Sequence, residues 1–137
     1  MKIIVCIDDR FGMLFFGKRQ SRDSALLADM KEYIGDTRLL CHPFSEKMLK
    51  EADIKFKASE KFLDKAKKDE YCFVENMHIR EYMEKVDELV LYSWNRHYPS
   101  DKCFTFDLDA LGYSLVSSTD FSGSSHPVIT EDRKSVV

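Results

Sequence analysis

The chain has no C-x-x-C pair, and Cys6, Cys41, Cys72 and Cys103 stand far apart, which argues against a zinc ribbon or a redox couple. His42, His78, His97 and His126 form neither a His-x-His-x-Asp-His nor a His-Glu-x-x-His cluster, so the chemistry of zinc phosphodiesterases and zinc proteases is excluded and no metal is expected. Nor is there an excess of positive charge. Lys and Arg number 21 against 24 Asp and Glu, for a net charge of −3, and a nucleic-acid partner, which needs many cations against phosphate, is not expected. No apolar run is long enough to cross a membrane. The first one is broken early by Asp8 and Asp9, unlike a secretory signal, so the expected location is the cytoplasm. Internal repeats and low-complexity segments are also missing.

What is present fits one soluble domain over 1–137: 137 residues, 44% hydrophobic and 33% charged, enough to bury one core. Met1-Lys-Ile-Ile-Val-Cys-Ile7 is a β-branched run that breaks into the charged turn Asp8-Asp9-Arg10 and resumes after Gly12. Runs without period-two alternation mark strands covered on both faces, and ligands bind at the carboxyl ends of such strands. Residues 38–41, 71–74 and 89–94 read the same way as 3–7. Helices are expected near 22–34, 45–52, 59–67 and 77–84, from caps such as Ser21-Arg-Asp-Ser24 and Ser45 and from apolar spacing. A short strand is expected at 54–56. Strands at 103–106, 113–116 and 127–130 lack intervening helices and should be antiparallel, with a frayed tail over 132–137. Cys6, Cys41 and Cys72 lie in apolar runs and should be reduced core residues.

This order of elements implies α/β architecture: three layers around a mixed, mainly parallel sheet, with antiparallel strands at the C-terminus. It resembles dihydrofolate reductase. Ile3 to Met13 is similar to that family's opening strand and the start of its substrate loop, with one residue missing between Arg10 and Gly12. Arg22-Asp23 stands where the family carries the carboxylate that holds and protonates the pterin ring. Leu89-Val-Leu-Tyr-Ser93 resembles the strand whose hydroxyl orients that acid. Leu39-Leu-Cys-His-Pro-Phe-Ser45 resembles the segment that contacts the cofactor phosphates.

The resemblance implies an NADPH-dependent oxidoreductase acting on a pterin-like or other heterocyclic substrate. Asp23 and Ser93 would be its catalytic pair, and His42, Ser45 and Asn76 its cofactor contacts. The cleft would lie between Asp8–Gly17, the helix beginning at Arg22, and the strand ends near Glu75 and Ser93. Three departures favour the alternative, a non-catalytic module that binds a nucleotide, a heterocycle or a partner on the same fold. Glu75-Asn76 replaces the Gly-Gly that lets backbone approach the diphosphate, His42-Pro43 replaces a Gly-Arg, and the substrate-loop Trp has no counterpart. Two further clusters have binding chemistry: Lys18-Arg19-Gln20-Ser21-Arg22, and Trp94 with Arg96, His97 and Tyr98. Ser122-Gly-Ser-Ser-His126 lacks a strand-to-helix nucleophile elbow and reads as a loop.

Overall fold

The computed structural model describes residues 1–136. In chain order the strands and α-helices are β1 (Lys2–Ile7), β2 (Gly12–Phe15), β3 (Lys18–Arg19), α1 (Ser24–Ile34), β4 (Leu39–Cys41), α2 (Glu46–Glu51), β5 (Phe56–Ala58), α3 (Phe62–Lys65), β6 (Tyr71–Val74), β7 (Glu88–Ser93), β8 (Lys102–Cys103), β9 (Tyr113–Phe121) and β10 (Ile129–Val136). Two 3-10 helices, Pro43–Ser45 and Arg80–Lys85, complete the order.

Seven strands form one sheet in the order β5-β4-β6-β1-β7-β10-β9. The five from β5 to β7 pair in parallel. β10 then runs antiparallel to both β7 and β9. A three-stranded sheet, β3-β2-β8, is built from the expected loop and stands apart.

Alternation along the strands sorts side chains to two faces. Ile3, Val5, Ile7, Leu89 and Leu91 pack on one side with Phe62, Leu63 and Met83. Ile4, Phe73, Val90, Tyr92 and Trp94 pack on the other with Leu26, Leu27 and Met30 of α1 and Met48 and Leu49 of α2. Helices on both faces make the expected three layers. Cys41 and Cys72 are buried and free, and burial pushes each thiol up to about 12.

Several boundaries differ from those read in the sequence. The strand expected at 54–56 lies at 56–58, because Asp53 takes a left-handed conformation (φ 56°) and the Ile54 N–H closes onto Leu49 O at the end of α2. The helix expected at 59–67 is the single turn of α3, ending where Ala66 becomes extended. At 77–84 a 3-10 helix forms instead, with a tighter winding that covers more distance per residue. The strand expected at 103–106 is only Lys102–Cys103 and belongs to the small sheet.

The expected frayed tail is corrected: positions 132–136 are the second half of β10, paired on both sides, and position 137 lies outside the described residues. Its charged sequence is tolerated because Glu131, buried on the α1 side, is met by Arg133 at 2.8 Å. Arg133 in turn lies 4.2 Å over the Tyr33 ring.

Cutting the chain after Glu131 removes the pairs from Asp132↔Leu91 to Ser135↔Glu88 and most of the β9 ladder. A fall in the thermal midpoint of more than about 10 °C is expected in a calorimetric scan. An unchanged midpoint would mean that the segment contributes nothing.

Candidate functional site

Asp23 starts α1 as its N-cap, with extended backbone (φ −147°, ψ 121°). One carboxylate oxygen accepts the N–H groups of Ala25 (2.9 Å) and Leu26 (3.1 Å), as a capping side chain does. The same oxygen also accepts Ser124 N–H (3.0 Å) and Ser124 Oγ–H (3.1 Å). The other accepts Ser125 N–H (2.9 Å), lies 3.2 Å from Ser125 Oγ, and meets His126 Nδ1 at 3.0 Å. Asp23 therefore holds the loop that follows β9. Gly123 is required there by close approach, since a Cβ on it would sit 2.5 Å from Asp23 Oδ2 and from His126 O.

Burial by itself would push the Asp23 carboxyl up. The amides of Ser124 and Ser125, the His126 ring and the Leu26 N–H outweigh that and hold it well below the usual carboxylate range. An ionised Asp23 fixes the His126 tautomer: Nδ1–H donates to the carboxylate, and Nε2 accepts from the Tyr98 hydroxyl at 2.7 Å, with Ser21 Oγ at 3.2 Å. The imidazole stacks on Trp94, centroids 4.8 Å apart and planes at 26°.

Tyr98 is placed by the turn after β1. Asp8 accepts the N–H groups of Arg10 (2.9 Å), Gly12 (2.7 Å) and Tyr98 (3.1 Å). Against a burial that would raise it, those amides and His97 keep the Asp8 carboxyl below its ordinary value.

A second lock lies across the carboxyl ends of β4 and β6. Arg19 grips Glu75 with two hydrogen bonds, at 2.5 and 2.7 Å, and Ser45 Oγ donates to the same carboxylate at 2.7 Å. The Arg19 guanidinium also covers Phe44 at 5.0 Å. Between the two locks, a cavity touching Cys6, Arg19, Asp23, Glu75 and Trp94 measures about 10 Å³, the least that holds one water. Of the boundaries expected for the cleft, the start of α1 and Glu75 line this small space, whereas Asp8–Gly17 and Ser93 do not.

The structure does not bring Asp23 and Ser93 together, and that expectation is corrected. Ser93 is in register with Ile7, whose side chain belongs to the face of Leu91 and Phe62. It opens onto a cavity of about 360 Å³ beside Phe106, Asp107 and Asp109. Asp23 lies on the opposite face, where Trp94 reaches it through His126.

His42, Ser45 and Asn76 are gathered at the strand ends and are bonded to one another and to their neighbours. The His42 Nδ1 accepts Phe44 N–H at 3.0 Å and lies 3.3 Å from Asn76 Nδ2. Ser45 gives its proton to Glu75, and Lys102 Nζ donates to Asn76 O at 2.9 Å. Asn76 Oδ1, buried and without a partner among the described residues, is an acceptor and repels a phosphate oxygen. Pro43 has no N–H. These side chains leave few free donors for the diphosphate of NADPH. Among the described residues no group of three or more metal-ligating side chains occurs.

Sequence reasoning passed over Ser124, Ser125 and His126. Their signal was faint: a run of small donors around a glycine, about a hundred positions from the helix start they bind.

The sheet order, the antiparallel closing strands and the helix opening at Asp23 define the fold of the dihydrofolate reductases. The dihydrofolate reductase from Enterococcus faecalis, solved as a complex with NADP(H) and RAB-propyl, matches with a TM-score of 0.68 over 98% of this chain and 94% of that one, at 15% sequence identity. No protein-family model and no curated protein matches the sequence. The likeness therefore establishes the fold. Among the described residues, no helix is long and apolar enough to cross a membrane.

A carboxyl held ionised by the native fold stabilises it fully above the unfolded carboxylate value, about pH 4, and that contribution is lost as the pH falls below it. Asp23→Asn leaves several buried donors without an acceptor and is expected to cost at least about 3 kcal/mol at pH 7 in urea unfolding. Its stability should then change less than the wild type's between pH 7 and pH 3. Equal acid sensitivity of the two proteins would contradict the assignment.

Proposed function

We propose that this chain is a non-catalytic ligand-binding module on the dihydrofolate reductase-like fold, taking a planar heterocycle with an anionic substituent against the β2–β3 hairpin. The observation that carries the reading is the contrast between two neighbouring spaces. The cavity at Asp23 is about 10 Å³, whereas a pocket of about 310 Å³ opens beside it between Phe15, Phe16, Lys18, Gln20 and Tyr98. Three aromatic rings supply stacking surface, and Lys18 supplies positive charge.

Gln20 adds a directional contact. Its Nε2 faces two acceptors, Pro99 O at 3.2 Å and Asp8 Oδ2 at 3.4 Å, which orients the amide. Its Oε1 is left buried with no partner among the described residues. The hairpin turn, Phe16-Gly17 with φ 49° and 71°, presents Phe16 with 76% of its surface exposed, and Asp101 fixes it by accepting Phe16 N–H at 3.0 Å.

The reductase alternative asks Asp23 to carry a proton to a ring nitrogen and asks Ser45, His42 and Asn76 to hold NADPH. A general acid needs a pKa near the working pH, and Asp23 is shifted the other way. The Ser45 hydroxyl is spent on Glu75.

Isothermal titration separates the two readings. Pterin-6-carboxylate is expected to bind, and Phe16→Ala to weaken it roughly tenfold, the size of one lost stacking contact. NADPH should give no heat and no thermal stabilisation. Micromolar NADPH binding with turnover of a pterin would overturn the proposal, as would pterin binding indifferent to Phe16.

A further inference from the structure

We infer that the chain carries a second, anion-selective site for a small phosphorylated ligand, on the opposite face of the sheet from Asp23. It lies at the free edge where β5 ends the strand order. There, Arg38, Lys57, Lys65 and Lys67 surround a cavity of about 150 Å³ floored by Leu40 and Phe62.

The backbone dictates this convergence. Lys57 is in register with Leu40 on the neighbouring strand, so both side chains leave the same face, and Leu40 and Phe62 belong to the core layer beneath. Arg38 leads into β4 from the side. Lys65 closes α3, and Lys67 follows where the chain leaves the helix and turns back at Asp69 (φ 70°) toward β6.

The charges around this cavity are unbalanced. Four cations face one carboxylate, Glu70, in a protein whose net charge is −3. Glu70 is itself committed, since its Oε1 accepts the Lys67 N–H at 2.8 Å. Among the described residues, none of the four cations lies within ion-pair distance of a carboxylate, whereas Arg19, Arg22, Lys31 and Arg133 each have one. Like charges gathered without a counter-charge repel one another, and a bound anion relieves them all at once.

Four cations with a hydroxyl suit a multiply charged oxyanion, of which phosphate is the case proposed. Arg38 offers the planar fork that matches phosphate oxygens, and the lysines offer point charges. Ser59, at the mouth, accepts Lys61 N–H through its Oγ at 3.2 Å and so keeps its own proton to donate. A cavity of about 150 Å³ has room for a phosphate or diphosphate group with its attached carbon. A polynucleotide needs a stripe of cations along a surface, and this is one compact cluster on a protein of net charge −3.

The test is titration of the full chain at low salt with orthophosphate, pyrophosphate and AMP. One-to-one binding of pyrophosphate or AMP is expected. The Lys57→Gln/Lys65→Gln double variant, altered only at exposed side chains, should bind at least tenfold more weakly with an unchanged thermal midpoint. Lys47→Gln/Lys50→Gln on α2 should bind like the wild type. Absence of binding, or equal losses in both double variants, would overturn the site. Tighter binding of a DNA oligonucleotide than of pyrophosphate would overturn the assignment to a small ligand.

Discussion

An ionised carboxylate buried without a Lys or Arg ion pair is the constraint on which the rest of this molecule depends. Asp23 has lost its water, and an unsolvated charge is among the most costly things a fold can contain. It is tolerated because backbone and hydroxyl donors of α1 and of the Gly123–His126 loop take the place of that water. The arrangement joins the first helix to the last loop and so ties the antiparallel end of the sheet to its parallel centre. His126, oriented by the same carboxylate, then spreads over Trp94 and reaches Tyr98.

That constraint also sets the chemistry. On this fold a carboxylate at the helix start, facing an open cleft, would be available to a ring. Here the chain's own loop makes the hydrogen bonds a ligand would make, and Arg19, Glu75 and Ser45 close the neighbouring strand ends in the same way. The proposed recognition surface is the aromatic hairpin, which shares Arg19 with the closed cleft and Tyr98 with the Asp23 network.

The fold was legible where local chemistry and long-range packing agree. β1, β6 and β7 announce themselves as β-branched and aromatic runs, because both faces of a central strand are covered. α1 is marked by its cap segment, Ser21 to Ser24, and Asp23 was singled out through the family resemblance. Partnership was not legible. Ser93 and Trp94 are adjacent in sequence, yet one position of strand parity sends them to opposite faces, and only register with Ile7 reveals which faces Asp23. The second half of β10 escaped notice because Asp132-Arg-Lys134 looks like a tail when its neighbours β7 and β9 are unknown. The Ser124–His126 clamp escaped for a related reason: local composition describes a loop, whereas its role comes from a partner about a hundred residues away.

The clamp can be observed directly by hydrogen exchange at the amides of Ser124 and Ser125, both of which donate to Asp23. If this loop closes the cleft in the resting protein, those amides exchange as slowly as Leu26 in α1, although they lie in a serine-rich surface loop. Exchange as fast as that of an unstructured loop, while Leu26 stays protected, would contradict the account, because the cleft at Asp23 would then be open to a ligand.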